Sequence, residues 1–162
     1  MNTAIDARFL DDFCKRWIEA WNSHDTEAVL ALLHAEIEWD DRTFWPRVLH
    51  GHTEVRQYVD KIWTVMHDVR FEEIQRFFAP DKLRALVLFR QSGSGPVKLD
   101  ANAKFDTHGC DIFLEFREGR LARYLASYDI VEMMRQLGSL PPRGDKIGGA
   151  YLLSLMKHSA AK

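Results

Sequence analysis

The chain has 162 residues, 46% of them hydrophobic and 28% charged, with a formal net charge of −2. That length suits one domain with a real core, because a chain of about 150 residues buries roughly 70% of its unfolded surface. The mixed, weakly acidic charge speaks against nucleic-acid binding, and no apolar run approaches the roughly 20 residues of a membrane span.

Cys14 and Cys110 are the only cysteines and lack metal-type spacing, so a disulfide framework is not expected and a reducing compartment is. The opening Met-Asn-Thr-Ala-Ile-Asp has neither a basic nor an apolar signal segment. A cytoplasmic location is therefore expected.

Along the chain, Phe9, Phe13, Trp17 and Trp21 recur every four residues beside Leu10, Cys14 and Ile18, which predicts a first helix with a wide apolar stripe. Asn22-Ser23-His24-Asp25 breaks it, and Asp25 is placed to cap a second helix carrying Val29, Leu32 and Leu33. From Glu36 to Asp41 the period switches to two: Ile37, Trp39 and Asp41 face one way, Glu36, Glu38 and Asp40 the other. After a loop with Trp45-Pro46 and Gly51, a third helix places Val55, Tyr58, Val59, Ile62, Trp63 and Met66 on one face. Strand patterns run from about Val69 to Phe78 and from Leu83 to Arg90, followed by Ser92-Gly93-Ser94-Gly95-Pro96 as a flexible connection. A longer pair, about 105–117 and 120–129, is joined by Glu118-Gly119. A short helix with Met133, Met134 and Leu137 stops at Gly138, and Pro141-Pro142 ends the compact region.

This order makes an α+β fold: a strongly curved mixed or antiparallel sheet, forming a cone-shaped barrel, with three N-terminal helices on its concave side. Residues 1–140 form that domain. Residues 141–162 are a C-terminal extension in which Ile147, Tyr151, Leu152, Leu155 and Met156 could form a short amphipathic helix. The interior of the cone is the expected ligand site.

Several stretches resemble a known family. Residues 13–25, Glu38-Trp39-Asp40-Asp41 and Leu49-His50-Gly51-His52 resemble the first helix, first strand and third-helix start of the nuclear-transport-factor-2-like superfamily. Phe116-Arg117-Glu118-Gly119-Arg120, then Tyr128-Asp129-Ile130-Val131 and Gln136-Leu137-Gly138, resemble the end of its SnoaL-like polyketide cyclase branch, which is related to ketosteroid isomerase. The resemblance spans about Phe9 to Leu140. It implies a hydrophobic pocket for a small apolar molecule, cyclase, isomerase or dehydratase chemistry without a cofactor, and a homodimer through the sheet.

Four residues are candidates for that chemistry. Asp41 projects inward with Ile37 and Trp39, where burial would raise its pKa toward a general-base value; at that position it resembles the proton-shuttling Asp of ketosteroid isomerase, and it could equally cap the loop it begins. Asp129 stands where the resemblance puts the acid/base Asp of the cyclases. If Glu118-Gly119 is a two-residue turn, Arg117 pairs with Arg120 and His108 falls opposite Asp129, an arrangement suited to a proton relay; Asp129 could instead cap the following helix. Asp111 corresponds to the oxyanion-donating acid of the isomerase, but the same register sets it with Phe113, Glu115, Tyr124 and Tyr128 on the face opposite Asp129. Regular pairing does not allow both into one cavity. Trp17 stands where the isomerase has its oxyanion-hole Tyr. Trp17, Trp39, Tyr58, Trp63, Phe113 and Tyr128 are the expected ligand-binding side chains. His50-Gly51-His52 lacks metal-site spacing and a third ligand, so no metal is expected.

Overall fold

The computed structural model of the chain describes residues 6–79, 81, 83–96 and 102–140; the extension expected over 141–162 lies outside the described residues. Asp6 accepts a hydrogen bond from the Phe9 amide at 2.8 Å and caps α1 (Ala7–Ser23). The stripe expected on this helix is buried: Leu10, Phe13, Cys14, Trp17 and Trp21 all face the core. Asp25 caps α2 (Thr26–Leu30), accepting from the Glu27 amide at 2.9 Å. This helix is shorter than its apolar spacing implied. Leu33 instead starts β1 (Leu33–Asp40), where it pairs with Leu121.

A two-residue strand, β2 (Leu49–His50), leads into α3 (Gly51–Val65), which buries Val55, Tyr58, Val59 and Ile62. Then come β3 (Arg70–Ala79), β4 (Arg84–Ser94), β5 (Lys104–Arg117), β6 (Arg120–Tyr128) and α4 (Ile130–Gln136). The segment around Gly93 is not a loose connection. β4 runs through it to Ser94, paired with Lys104, and the Asp68 carboxylate holds Ser94 at both its amide (2.7 Å) and its hydroxyl (2.8 Å).

The six strands lie in the order β2-β1-β6-β5-β4-β3. β1 runs parallel to β6 and every other pair is antiparallel, so the sheet is mixed. Among the described residues β2 and β3 are the edges of the sheet and do not pair with each other, so the expected barrel is an open sheet. Helix α1 packs on β3 and β4, α3 on β1 and β2, and α4 on β5. Among the described residues no helix is long and apolar enough to cross a membrane.

Between helices and sheet lies an aromatic core. Trp17 packs 5.1 Å from Phe113, 5.4 Å from Tyr124 and 5.9 Å from Trp39, ring centre to ring centre. Glu118 (φ 51°) and Gly119 (φ 72°) form the two-residue turn between β5 and β6, both left-handed as such a turn demands. Arg117 faces Arg120, and the register shifts only beside Glu115 before resuming from Phe113–Tyr124 to Gly109–Tyr128. That bulge turns Phe116 toward α1, where its ring meets Phe13 at 4.8 Å and Phe9 at 5.3 Å.

Candidate active site

The two-residue period of β5 decides which acid enters the core. Phe105, Thr107, Asp111 and Phe113 share its buried face, and Tyr124 and Ala126 share the matching face of β6. Asp111 is 5% exposed. It accepts a hydrogen bond from the Trp17 indole at 2.7 Å and another from the Tyr124 hydroxyl.

Asp41, the residue after β1, is wholly buried. Its backbone oxygen takes the amides of Phe44 (3.0 Å) and Trp45 (2.7 Å), so it also roots the β1–β2 loop. Its carboxylate Oδ2 accepts from the hydroxyl of Tyr58 on α3 and, at 3.4 Å, from that of Tyr128 at the end of β6. The Tyr124 and Tyr128 hydroxyls are 3.2 Å apart. One hydrogen-bonded chain therefore joins Trp17, Asp111, Tyr124, Tyr128, Asp41 and Tyr58. Among the described residues, Asp41 Oδ1 and the indole nitrogens of Trp21 and Trp39 are buried without a hydrogen-bond partner.

No Lys, Arg or His among the described residues hydrogen-bonds to either carboxyl group, and burial dominates their proton affinity. Asp41 is pushed up to about 7 by desolvation, with the nearby Asp111 charge adding to the rise and the Tyr58 hydrogen bond opposing it. Asp111 is pushed up to about 6 by desolvation, against the hydrogen bonds from Tyr124 and Trp17. Burial also raises Tyr58, Tyr124 and Tyr128 well above an ordinary phenol, so these hydroxyls stay protonated donors.

A cavity adjoins this chain. Trp21, Phe44, Ile62, Met66 and Phe71 supply its apolar walls, and Tyr58, Gln91, Asp111, Tyr124 and Tyr128 its polar ones. Its free volume is about 20 Å³. That holds one water molecule and is far below the roughly 300–1,000 Å³ of sites for larger ligands. Gly109 makes part of the wall possible: a Cβ there would lie 2.7 Å from the Tyr128 ring and 2.8 Å from that of Phe89.

The structure brings together only some of the residues expected from the sequence. Asp111, Tyr58 and Tyr128 line the cavity, and Asp41 lies one hydrogen bond behind Tyr58 and Tyr128. Asp129 and His108 do not: both are exposed, on the opposite side of the sheet from Asp111. Their register is the expected one, since the Asp129 amide donates to the His108 carbonyl at 3.2 Å. The Asp129 carboxylate caps α4 instead, accepting from the Glu132 amide at 3.0 Å. The pocket relay expected of this pair is therefore absent, because alternation along β5 and β6 turns them outward.

Trp17, Trp39, Trp63 and Phe113 do not line the cavity either. Trp17 acts on it through Asp111, Trp39 packs behind Tyr124 at 4.0 Å, and Phe113 fills the core beside Phe13 at 5.1 Å. Trp63 stacks on His24 and donates to the Thr26 hydroxyl at 3.2 Å. Tyr124 and Gln91 were missed as site residues, although the shared face with Asp111 had already put Tyr124 beside it and alternation with Phe89 carried the same signal for Gln91. His52 is not arranged as a ligand: its Nε2 lies 3.1 Å from the Leu33 carbonyl.

Comparison with known proteins agrees with this fold. Many solved structures share the fold, three of them as follows. TsrD from Streptomyces laurentii superposes with a TM-score of 0.69 at 21% identity, over 85% of this chain and 100% of its own. A protein of ketosteroid isomerase-like fold from Catenulispora acidiphila, solved with trimethylamine, gives 0.68 at 14% identity, over 81% and 98%. The epoxide hydrolase/cyclase-like enzyme SalBIII, described for pyran ring formation in the polyether salinomycin, gives 0.68 at 15% identity, over 80% and 97%. No curated protein matches the chain. The model of the SnoaL-like domain matches residues 14–124, a span that runs from Cys14 within α1 to Tyr124 within β6 and holds Asp41 and the whole of β5, and the chain belongs to that family.

Proposed function

We propose that the protein catalyses cofactor-independent acid–base chemistry of the cyclase, isomerase or dehydratase type on a small apolar carbonyl or polyketide-like compound. One observation carries this reading: Asp41 is sealed from water and hydrogen-bonded to Tyr58 and Tyr128, which wall an aromatic cavity, and its pKa is raised to about 7. A carboxylate tuned close to neutral pH can take a proton from a carbon next to a carbonyl and give it back. The hydroxyls of Tyr58, Tyr124 and Tyr128, held protonated by burial, are the donors for the developing oxyanion. SalBIII, described as epoxide hydrolase/cyclase-like, is a relative in fold that supports the same class of chemistry.

Substrate entry on this reading requires a wall to move. Phe44 is the natural candidate, since it lines the cavity from the loop between β1 and β2 and is only half-buried. The reading extends to a cytoplasmic homodimer built through the outer face of the sheet.

A second reading is a non-catalytic ligand-binding or dimerisation module; a volume of about 20 Å³ leaves no room for a carbonyl compound in this conformation and favours its dimerisation form. Deuterium exchange separates the two. Cyclic enones and 1,3-dicarbonyl compounds are incubated with the protein in D2O, and loss of their α-proton signals is followed by NMR. Acid–base chemistry predicts exchange that rises with pH through about 7, as Asp41 ionises, and drops roughly 10²-fold or more in Asp41→Asn. Exchange undiminished in Asp41→Asn removes Asp41 as the base. Binding that changes tryptophan fluorescence with no deuterium uptake selects the second reading.

A further inference from the structure

We propose that Asp41 and Asp111 share a single proton through the hydroxyls of Tyr124 and Tyr128, so that the site gains or loses that proton at either carboxyl group. The links are Asp111–Tyr124, Tyr124–Tyr128 at 3.2 Å and Tyr128–Asp41 at 3.4 Å.

Each phenol has one proton to donate, which limits how the chain can be satisfied. With both carboxyl groups ionised, Tyr124 donates to Asp111 and Tyr128 to Asp41. The two phenol oxygens then face each other at 3.2 Å with no hydrogen between them. With one added proton every link holds a hydrogen. If it sits on Asp41, Asp41 donates to Tyr128, Tyr128 to Tyr124 and Tyr124 to Asp111; if it sits on Asp111, all three donations reverse. Moving from one state to the other breaks an O–H bond and forms another at each phenol, with no net change there, and transfers one proton between the carboxyl groups.

The surroundings favour the one-proton state. The titratable groups facing the pair are Tyr58 from α3, Tyr124 and Tyr128 from β6, and Cys14 from α1, which feels the Asp111 charge. Trp17 and Tyr58 hold the outer ends of the chain in either state. The proton affinities of the two acids, about 7 and about 6, are close enough for sharing. The use of such a pair in a reaction rests on the acid–base reading: a proton taken at one carboxyl group could be returned from the other. The sharing itself is a property of the resting protein.

The test is therefore made without substrate. The carboxyl ¹³C signals of the two Asp residues, assigned with Asp41→Asn and Asp111→Asn, are titrated in the wild type and in Tyr128→Phe. In the wild type each signal moves in two steps, because each site holds part of the shared proton. In Tyr128→Phe each moves in one step, Asp111 at the lower pH. One step per carboxyl group in the wild type, or two steps per group surviving in Tyr128→Phe, overturns the proposal. Tyr124→Phe cuts the same chain should Tyr128→Phe fail to fold. Deuterium exchange that needs Asp41, alongside single-step titrations, would sink the sharing and leave the acid–base reading standing; shared titration without exchange would do the reverse.

Discussion

Asp41 has no opposite charge to offset its burial, and that has a consequence for stability. Its pKa is 3.8 when unperturbed and about 7 in the fold, so between those values the folded state binds more protons than the unfolded one. Stability must then fall as pH rises from about 4, with the loss complete above about 7. Asp41→Asn keeps an acceptor for Tyr58 and removes the titration. Between pH 5 and pH 8.5 the variant should therefore gain on the order of 2–3 kcal/mol in stability relative to the wild type. Urea unfolding at the two pH values measures this; a difference independent of pH would mean that Asp41 is not the titrating group. The inward direction of Asp41 was legible because Ile37 and Trp39 set a two-residue period that simply continues to it. What alternation could not show was the chain of hydroxyls around it, because Tyr58 reaches it from 17 residues away and Tyr128, which continues the chain to Tyr124, from 87 away.

The β5–β6 hairpin shows what one element can reveal and conceal. Its register was readable because Glu118-Gly119 admits a tight turn, and the pairing of Arg117 with Arg120 follows from that alone. The same register stated the conflict between Asp111 and Asp129 but could not say which face was inside. That depended on α1, whose Trp17 reaches Asp111, while the amide end of α4 claimed the Asp129 carboxylate. The bulge beside Glu115 left no mark in the residue pattern. Gly109 is the hairpin's close-packed point, with the Tyr128 and Phe89 rings where a methyl group would go. Gly109→Ala should cost about 1–3 kcal/mol by overpacking and displace Tyr128 from Asp41. Thermal unfolding reads the first effect and the Asp41 carboxyl shift the second; a variant with unchanged melting would show that the rings yield freely.

For the whole molecule, the order of helices and strands made an α+β fold legible, whereas the open edges and the near absence of free volume depend on how far the sheet closes around large side chains. Those side chains face inward; the other face of the sheet has its own pattern. Phe77, Leu86, Ile112 and Leu125 are paired neighbours across four strands and form one apolar row there. Phe77 is 50% exposed and Ile74 49%, an unusual concentration for water-facing strands. Charge lies at the margins of the row, with Arg90 bonded to Asp106 toward one end and Arg84 at the other. An apolar centre with a polar rim is the make-up of a subunit interface, and a stable one needs about 800 Å² from each partner. The proposed homodimer therefore predicts that the wild type sediments at twice the chain mass at micromolar concentration, and that Phe77→Glu sediments as a folded monomer, since the exposed ring supports little of its own core. Asp41→Asn should remain dimeric, because Asp41 projects from the opposite side of the sheet. A wild type that sediments as a monomer at tens of micromolar would leave this row without the proposed partner.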